Sequence, residues 1–224
     1  MKEGIILAGG LGKRMGNHDK PKWLTQVEDV TIAVLQSRWL RANGVTQIYV
    51  TLSRQYFDNL ADIVDVFNEC GTCLLWEDRP IGDEGGLKRA LEYLKGAEAV
   101  VCNCDILTDL PLSVLPLAPA LVVVHPRSPW GVLREKIDFD GRGWPYQLAF
   151  FEEKPLLPIW ASAGIYRFPK SIRDELVDEG EIARNIVPKL LGEGRLHILK
   201  YEGRWLAIET PKDLEGAKEF VEHA

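Results

Sequence analysis

The residues best equipped for chemistry stand together near the start of the chain. Leu7-Ala8-Gly9-Gly10-Leu11-Gly12-Lys13-Arg14-Met15 is followed by Lys20-Pro21-Lys22, so three glycines and a group of cations come directly after an apolar run. Gly9, Gly10 and Gly12 can take backbone angles closed to other residues, and they leave room for main-chain N–H groups to approach phosphate oxygens. Arg14 can hold a phosphate bidentately, while Lys13 and Lys22 act as mobile point charges. Glycines after a strand also form plain βα turns; the cations add the reason to read this loop as a holder of a nucleoside triphosphate. Its spacing matches neither GxxxxGK[ST] nor a strand-borne GxGxxG, so a P-loop ATPase and an ordinary dinucleotide fold are both poor readings.

The elements that must position these residues alternate along the chain. Gly4-Ile5-Ile6-Leu7-Ala8 is an unbroken apolar run that suits a central parallel strand covered on both faces. Ile32, Leu35 and Trp39 fall on one helical face, and Asn43-Gly44 stops that helix before a strand from Ile48 to Leu52. The pattern then predicts a helix from about Phe57 to Asn68, a strand from Thr72 to Trp76, and a helix with Leu87, Ala90, Leu91 and Leu94 inward. Strands follow at Ala99 to Cys104 and Ala120 to Val124. Such alternation implies a Rossmann-like three-layer α/β/α sandwich with a mostly parallel sheet, and ligands in the crevice beyond the carboxyl ends of its strands. The glycine loop and Asp105 both sit at those ends.

From about Gly131 the strands shorten, near Gly131 to Asp138, Leu148 to Glu153 and Ala161 to Tyr166, with turns at Asp140-Gly141 and Gly143. Two helices are expected near Ser171 to Val177 and Ile182 to Leu191, then a strand pair at Leu196 to Tyr201 and Trp205 to Ile208. The last helix is well marked: Thr210 caps it, Pro211 fits its first turn, Asp213 completes a box-like arrangement, and Leu214, Ala217 and Val221 face inward. The chain reads as one domain over 1–224, with a nucleotide-binding half at 1–125 and a β-rich half at 126–224 expected to bind the sugar phosphate.

The motifs, taken in order, resemble the sugar-1-phosphate nucleotidyltransferase family, whose signature LAGGxGTRL or LAAGxGTRM is here LAGGLGKRM, followed by its proline-lysine pair at Pro21-Lys22. Pro80 to Gly86 resembles the family's PLGTAG segment, and Asn103-Cys104-Asp105 its GD motif. Trp130-Gly131-Val132 is similar to YGV, Glu153-Lys154-Pro155 is its EKP, and Ser162-Ala163-Gly164-Ile165-Tyr166 is similar to NAGIY. Trp205 to Pro211 resembles WxDIGTP. The resemblance spans nearly the whole chain.

That resemblance implies attack by a sugar-1-phosphate oxygen on the α-phosphorus of a nucleoside triphosphate, giving an NDP-sugar and pyrophosphate. Arg14, Lys22 and Asp105 would be catalytic: Arg14 on the β or γ phosphate, Lys22 near the α-phosphate, and Asp105 on Mg²⁺, a cation that prefers hard oxygen ligands. Nucleotide contacts would come from Leu7, Ala8, Gly9, Gly10, Gly12, Lys13, Pro80, Gly82 and Gly85. Gly131, Glu153, Lys154, Ser162 and Gly164 would hold the sugar phosphate. Two positions depart from the pattern with consequences: Ser162 stands where NAGIY has Asn, and Ala207 replaces the second metal Asp of WxDIGTP. Because residues two apart on a strand face the same side, Glu209 can supply the missing carboxylate from a shifted position. Two alternatives stay open at this point, a non-sugar acceptor such as a polyol phosphate, phosphocholine or molybdopterin, and a catalytically silent nucleotide-binding homologue.

Composition agrees with an enzyme of small phosphorylated substrates. At 224 residues and 46% hydrophobic, the chain can bury a sizeable core. A net charge of −6 argues against broad nucleic-acid binding. It is compatible with a local nest of Lys13, Arg14, Lys20 and Lys22, since exposed charges beyond about 10 Å are largely screened. No apolar run reaches the roughly 18 residues of a membrane span, and Met1-Lys2-Glu3 leads straight into the first strand, so a cytoplasmic protein without a signal peptide is expected. The oligomeric state is left open, a homodimer included. The spacings Cys70/Cys73 and Cys102/Cys104 allow zinc or a disulfide on paper, but strand placement favours four small core residues.

Overall fold

The computed structural model describes residues 2–10, 21–135 and 148–221. Strand β1 (Glu3–Leu7) is buried throughout. It is followed by two short strands, β2 (Gln26–Val27) and β3 (Val30–Thr31), that form a tight antiparallel pair ahead of helix α1 (Ile32–Ala42). The Thr31 hydroxyl caps α1 by accepting the Val34 amide at 3.3 Å. The chain ends the helix at Asn43, where Gly44 takes a φ of 82°. Strand β4 (Gln47–Ser53), helix α2 (Leu60–Cys70), strand β5 (Cys73–Glu77), helix α3 (Gly82–Tyr93) and strand β6 (Glu98–Asn103) continue the alternation, with a 3₁₀ turn leading into α2.

Next come β7 (Ile106–Thr108), β8 (Ala120–Val124), β9 (Val132–Glu135), β10 (Leu148–Glu152) and β11 (Ala161–Pro169). Helix α4 (Ile186–Gly192), strands β12 (His197–Lys200) and β13 (Trp205–Ala207) and helix α5 (Leu214–Val221) complete the described chain. Among the described residues a seven-stranded sheet runs in the order β12-β8-β11-β6-β1-β4-β5. It is mostly parallel: β1 pairs in parallel with β4 and β6, β4 with β5, and β12 with β8. Only β11 runs the other way, between β6 and β8. This is a Rossmann-like α/β fold.

Strand alternation divides the core into two layers. Ile6, Val50, Val100, Cys102 and Val122 face α1 and α2 on one side, and Ile5, Leu7, Val101 and Leu121 face α3 and α4 on the other. Leu87, Ala90, Leu91 and Leu94 are all buried against that second face, as their spacing predicts. β11 is fastened in its reversed direction by Arg167, which makes a forked pair with Glu98 on β6 and donates to the carbonyls of Leu115 and Pro116.

Four sequence expectations need correction. The strands near Leu196 and Trp205 do not pair with each other: β12 joins β8 at the sheet edge, while β13 pairs antiparallel with β7. The segment after β11 forms 3₁₀ turns over Lys170–Glu175 rather than a helix to Val177. The next helix begins at Ile186, not Ile182, because the residues before it are tied to α3: the Ile182 amide donates to Asp83 at 2.8 Å and the Asn185 side chain to Glu84 at 2.7 Å. All four cysteines are free thiols, Cys70 and Cys102 buried as expected but Cys73 exposed at the edge strand. The turns expected at Asp140-Gly141 and Gly143 lie outside the described residues. The terminal capping box of Thr210 and Asp213 is formed. No helix among the described residues is long and apolar enough to cross a membrane.

Candidate active site

The carboxyl ends of β1, β4, β5 and β6 converge on one crevice. After Leu7 the chain stays beside β4 for one more residue, the Ala8 amide donating to the Thr51 carbonyl at 3.1 Å, and then leaves the sheet at Gly9. The Gly10 carbonyl accepts the Tyr56 hydroxyl at 3.0 Å, which fixes the exit of the loop. The expected contacts Gly12, Lys13 and Arg14 lie outside the described residues.

Lys22 returns to the same crevice. It opens a 3₁₀ turn, Lys22–Leu24, whose Trp23 and Leu24 are buried, so the lysine stands on an apolar peg. Its ammonium donates to Asp105 Oδ2 at 2.8 Å, with the two side chains 12% and 23% exposed. Asp105 lies in the turn between β6 and β7. Helix α1 fixes that turn through Gln36, whose Nε2 donates to the carbonyls of Asn103 and Ile106, each at 2.8 Å. The Cys104 amide donates to the Leu7 carbonyl at 3.2 Å, tying the turn to the glycine loop. Burial, and after it the charge of Asp105, pushes the Cys104 thiol up to about 12, so it is a neutral packing group and no nucleophile.

The opposite wall comes from β11. Ser162 Oγ accepts the Gly164 amide at 3.2 Å and lies 3.4 Å from the Tyr166 hydroxyl. Gly164 needs its lack of a side chain twice: its φ is 68°, and a Cβ there would lie 2.9 Å from Asn103 Nδ2. Trp205 Nε1 donates to the Ala163 carbonyl at 2.9 Å and braces this segment from behind. Gly131 faces the ring of Phe151 across the β9–β10 hairpin, where a Cβ would have no room. Glu153 and Lys154 follow β10 and are exposed, and Lys154 holds a left-handed φ of 47°. Such a conformation is uncommon for a residue with a side chain. Thus Gly9, Lys22, Asp105, Ser162 and Gly164 share one site, and the EKP segment stands on a separate hairpin.

Ala207 ends β13 opposite Ile106, and the Ile208 amide donates to the Asp105 carbonyl at 2.8 Å. Glu209 therefore belongs to backbone that runs beside Asp105, but it is exposed and its amide is held by Asp213 in the helix cap. Among the described residues no group of three His, Cys, Asp or Glu side chains is placed to hold a metal ion.

In the Pro80 to Gly86 segment the glycines serve packing. A Cβ on Gly82 would lie 2.0 Å from the Gly180 carbonyl oxygen, and one on Gly85 2.4 Å from that of Asp178. Pro80, just ahead of them, is half-buried. The chemically unusual group here is Glu77, the last residue of β5, which sequence reasoning missed. It is 1% exposed, and neither carboxylate oxygen meets a hydrogen-bond donor in good geometry. Burial raises its pKa to about 7, only moderated by the Thr51 hydroxyl, Arg89 and the Ile81 amide. The signal for it was a carboxylate ending the apolar run Leu74-Leu75-Trp76, just as the signal for Gln36 was an amide on the inner face of a helix.

Comparison with known proteins bears on the family and the fold. The MobA-like NTP transferase domain matches residues 4–122. The chain is 28% identical over 143 residues to D-glycero-alpha-D-manno-heptose 1-phosphate guanylyltransferase of Campylobacter jejuni, covering 63% of this chain and 61% of that one. It is 26% identical over 230 residues to mannose-1-phosphate guanyltransferase of Hypocrea jecorina, covering 94% and 62%. The chain thus spans about three fifths of the length of these relatives. A crystal structure of HddC from Yersinia pseudotuberculosis superposes with a TM-score of 0.70 at 22% identity, over 98% of this chain and 99% of that one, a likeness of fold.

Proposed function

The chain belongs to the MobA-like NTP transferase family, and from that premise we propose that it transfers a nucleotidyl group from a nucleoside triphosphate to a sugar 1-phosphate, forming an NDP-sugar and pyrophosphate. The observation that carries this reading is the Lys22–Asp105 pair at 2.8 Å, set beside the glycine loop where β1 and β6 end. The curated relatives, both named as guanylyltransferases of sugar 1-phosphates, support the choice of acceptor.

In this reaction an anionic oxygen of the sugar phosphate attacks the α-phosphorus, a new P–O bond forms, and the bond to the β-phosphate bridging oxygen breaks with its electrons leaving on pyrophosphate. No general base is needed, because the attacking oxygen already carries charge. The protein's task is alignment and neutralisation of oxygen charge. Lys22 sits where it can exchange its contact with Asp105 for the α-phosphate, and its buried neighbours Trp23 and Leu24 keep its base fixed while the ammonium moves. Backbone N–H groups at Gly9 and Gly10 offer uncharged donors to the phosphates, joined in this proposal by Arg14. Gly164 and Ser162 line the acceptor side, and Lys154, poised on its hairpin, receives the acceptor phosphate.

Asp105 fits a divalent cation. Its carboxylate is partly exposed and is balanced by an ammonium that can be displaced, and Mg²⁺ commonly binds through one or two carboxylates together with substrate phosphates. When bound there, Mg²⁺ would neutralise charge on the triphosphate and bring its oxygens to Asp105, with Glu209 as the proposed second carboxylate in place of the family's Asp.

The test is pyrophosphate release with Mg²⁺ across the common nucleoside triphosphates and a panel of hexose, hexosamine, heptose and polyol phosphates. A strong signal confined to sugar 1-phosphates is expected. Release only with polyol phosphates, or none at all from a chain that binds a triphosphate, would overturn the reading.

A further inference from the structure

A second cavity, of about 430 Å³, opens between α3 and the 3₁₀ turns over Lys170–Glu175. It uses the face of α3 turned away from the buried Leu87, Ala90 and Leu91. One wall carries Lys88, Arg89 and Glu92, and the other Arg173, Asp174 and Asp178, while Ile81 and Gly85 come from the start of α3. The cavity shares no residue with the site formed by Gly9, Lys22, Asp105, Ser162 and Gly164.

Its three cations and three acids are unequally used. Lys88 donates to Asp178 at 2.6 Å. Arg173 pairs with Glu92 across the gap, and its Nη1 lies 3.6 Å from Asp174. Each acid is thus engaged. Arg89, half-buried, makes no ion pair or hydrogen bond among the described residues, and Glu77 feels its charge only through space. The Nε–H of Arg173 is buried and meets no acceptor, a costly state for a polar group. The Lys88 ammonium also has N–H groups to spare, since an ammonium carries three. What is left unfilled on both walls is donor capacity, and all of it is cationic.

That imbalance defines an occupant that accepts and is negatively charged, an oxyanion. Among three cations a phosphate dianion is better neutralised than a single carboxylate, and the planar fork of Arg89 suits two of its oxygens. The volume lies in the range of small-molecule sites and exceeds what a lone phosphate fills. Ile81 is the only large apolar residue lining it, so the remainder of the occupant is hydrophilic.

We propose that this cavity is a second ligand site, separate from the reaction crevice, for a small hydrophilic phosphate monoester held by Arg89, Lys88 and Arg173. The phosphate bridges α3 to the 3₁₀ turns, and its binding does not depend on the transferase reaction.

The experiment is isothermal titration of the full chain with glucose 6-phosphate, inorganic phosphate and glucose at constant ionic strength. Wild type should bind glucose 6-phosphate with a Kd of about 1 mM or tighter, inorganic phosphate more weakly, and glucose not at all. Arg89→Met should weaken glucose 6-phosphate about 10-fold or more, the scale of hydrogen bonds to a charged group. Arg89→Lys, which keeps the charge without the fork, should fall between the two. A double variant, Lys22→Met with Lys154→Met, removes cations proposed for the reacting phosphates and should retain this binding. Three outcomes overturn the proposal. The first is a wild type with no saturable binding of glucose 6-phosphate, a result that needs no variant to fold. The second is affinity that survives Arg89→Met and is lost from the double variant, which places the phosphate in the reaction crevice. The third is equal affinity for inorganic phosphate and the ester, which leaves the cavity no role in holding the rest of the molecule.

Discussion

Lys22 and Asp105, 83 residues apart in the chain, meet at 2.8 Å at the mouth of the crevice. Each holds the other's charge in a partly buried place, which makes the pair expensive to break on one side only. Asp105→Asn should lower turnover by about 10²-fold or more, since it removes the anionic oxygen expected to hold the metal. Lys22→Met should cost turnover comparably, and the double variant little more than the worse single one, because residues acting as a unit are non-additive. Steady-state pyrophosphate release by the three variants checks this. Losses that simply multiply would separate the two residues functionally.

Gln36 positions the Asp105 turn from a distance through its two bonds to the carbonyls of Asn103 and Ile106. Gln36→Leu keeps the bulk and removes both donors, leaving buried carbonyls unsatisfied. Turnover should fall about 10-fold with little change in KM for the triphosphate, and stability by about 1–3 kcal/mol. Gln36→Glu, which cannot donate when ionised, should behave alike. An unchanged kcat beside a clear stability loss would leave Gln36 a purely structural residue.

The sheet was legible because both its signals are local. Unbroken apolar runs such as Ile5 to Ala8 need cover on both faces, and Asn43-Gly44 needs a helix end. The place of the candidate site was legible, since the glycine loop and Asp105 both follow strands that end on the same side of the sheet. What escaped depended on distant partners. β12 and β13 look like a hairpin in sequence, yet each finds a better-buried strand elsewhere, β8 and β7. The start of α4 was set by acids on α3, a hundred residues away, and not by its own caps. Glu77 carries no motif of its own, since its burial comes from Gly9 and Gly86, which the fold brings over it.

Gly164 joins backbone conformation to the site. With φ at 68° and Asn103 Nδ2 within 2.9 Å of a notional Cβ, Gly164→Ala must strain the backbone and push Asn103 away. We expect a loss of about 1–3 kcal/mol of stability and a rise in KM for the acceptor larger than that for the triphosphate, because β11 lies on the side proposed to take the acceptor. Chemical unfolding together with KM for both substrates tests this. Equal changes in both KM values would place Gly164 outside the acceptor contact.

Glu77 also predicts an unusual dependence of stability on pH in the ligand-free chain. Its ordinary pKa of 4.5 applies when unfolded, and burial lifts the folded value to about 7. Between these values the folded chain keeps a proton that the unfolded chain has released, so the contribution of this group is fully present below about pH 4.5 and is lost as pH rises through 7. The groups that face it, Thr51 and Arg89, moderate the shift without reversing it. Above pH 7 the loss is on the order of 3 kcal/mol. Glu77→Gln has no such proton to lose. Relative to wild type it should therefore gain stability between pH 5 and pH 8, by up to that amount, in urea unfolding followed at both pH values. Parallel stability curves for the two proteins across this range would mean that Glu77 is solvated or paired when folded.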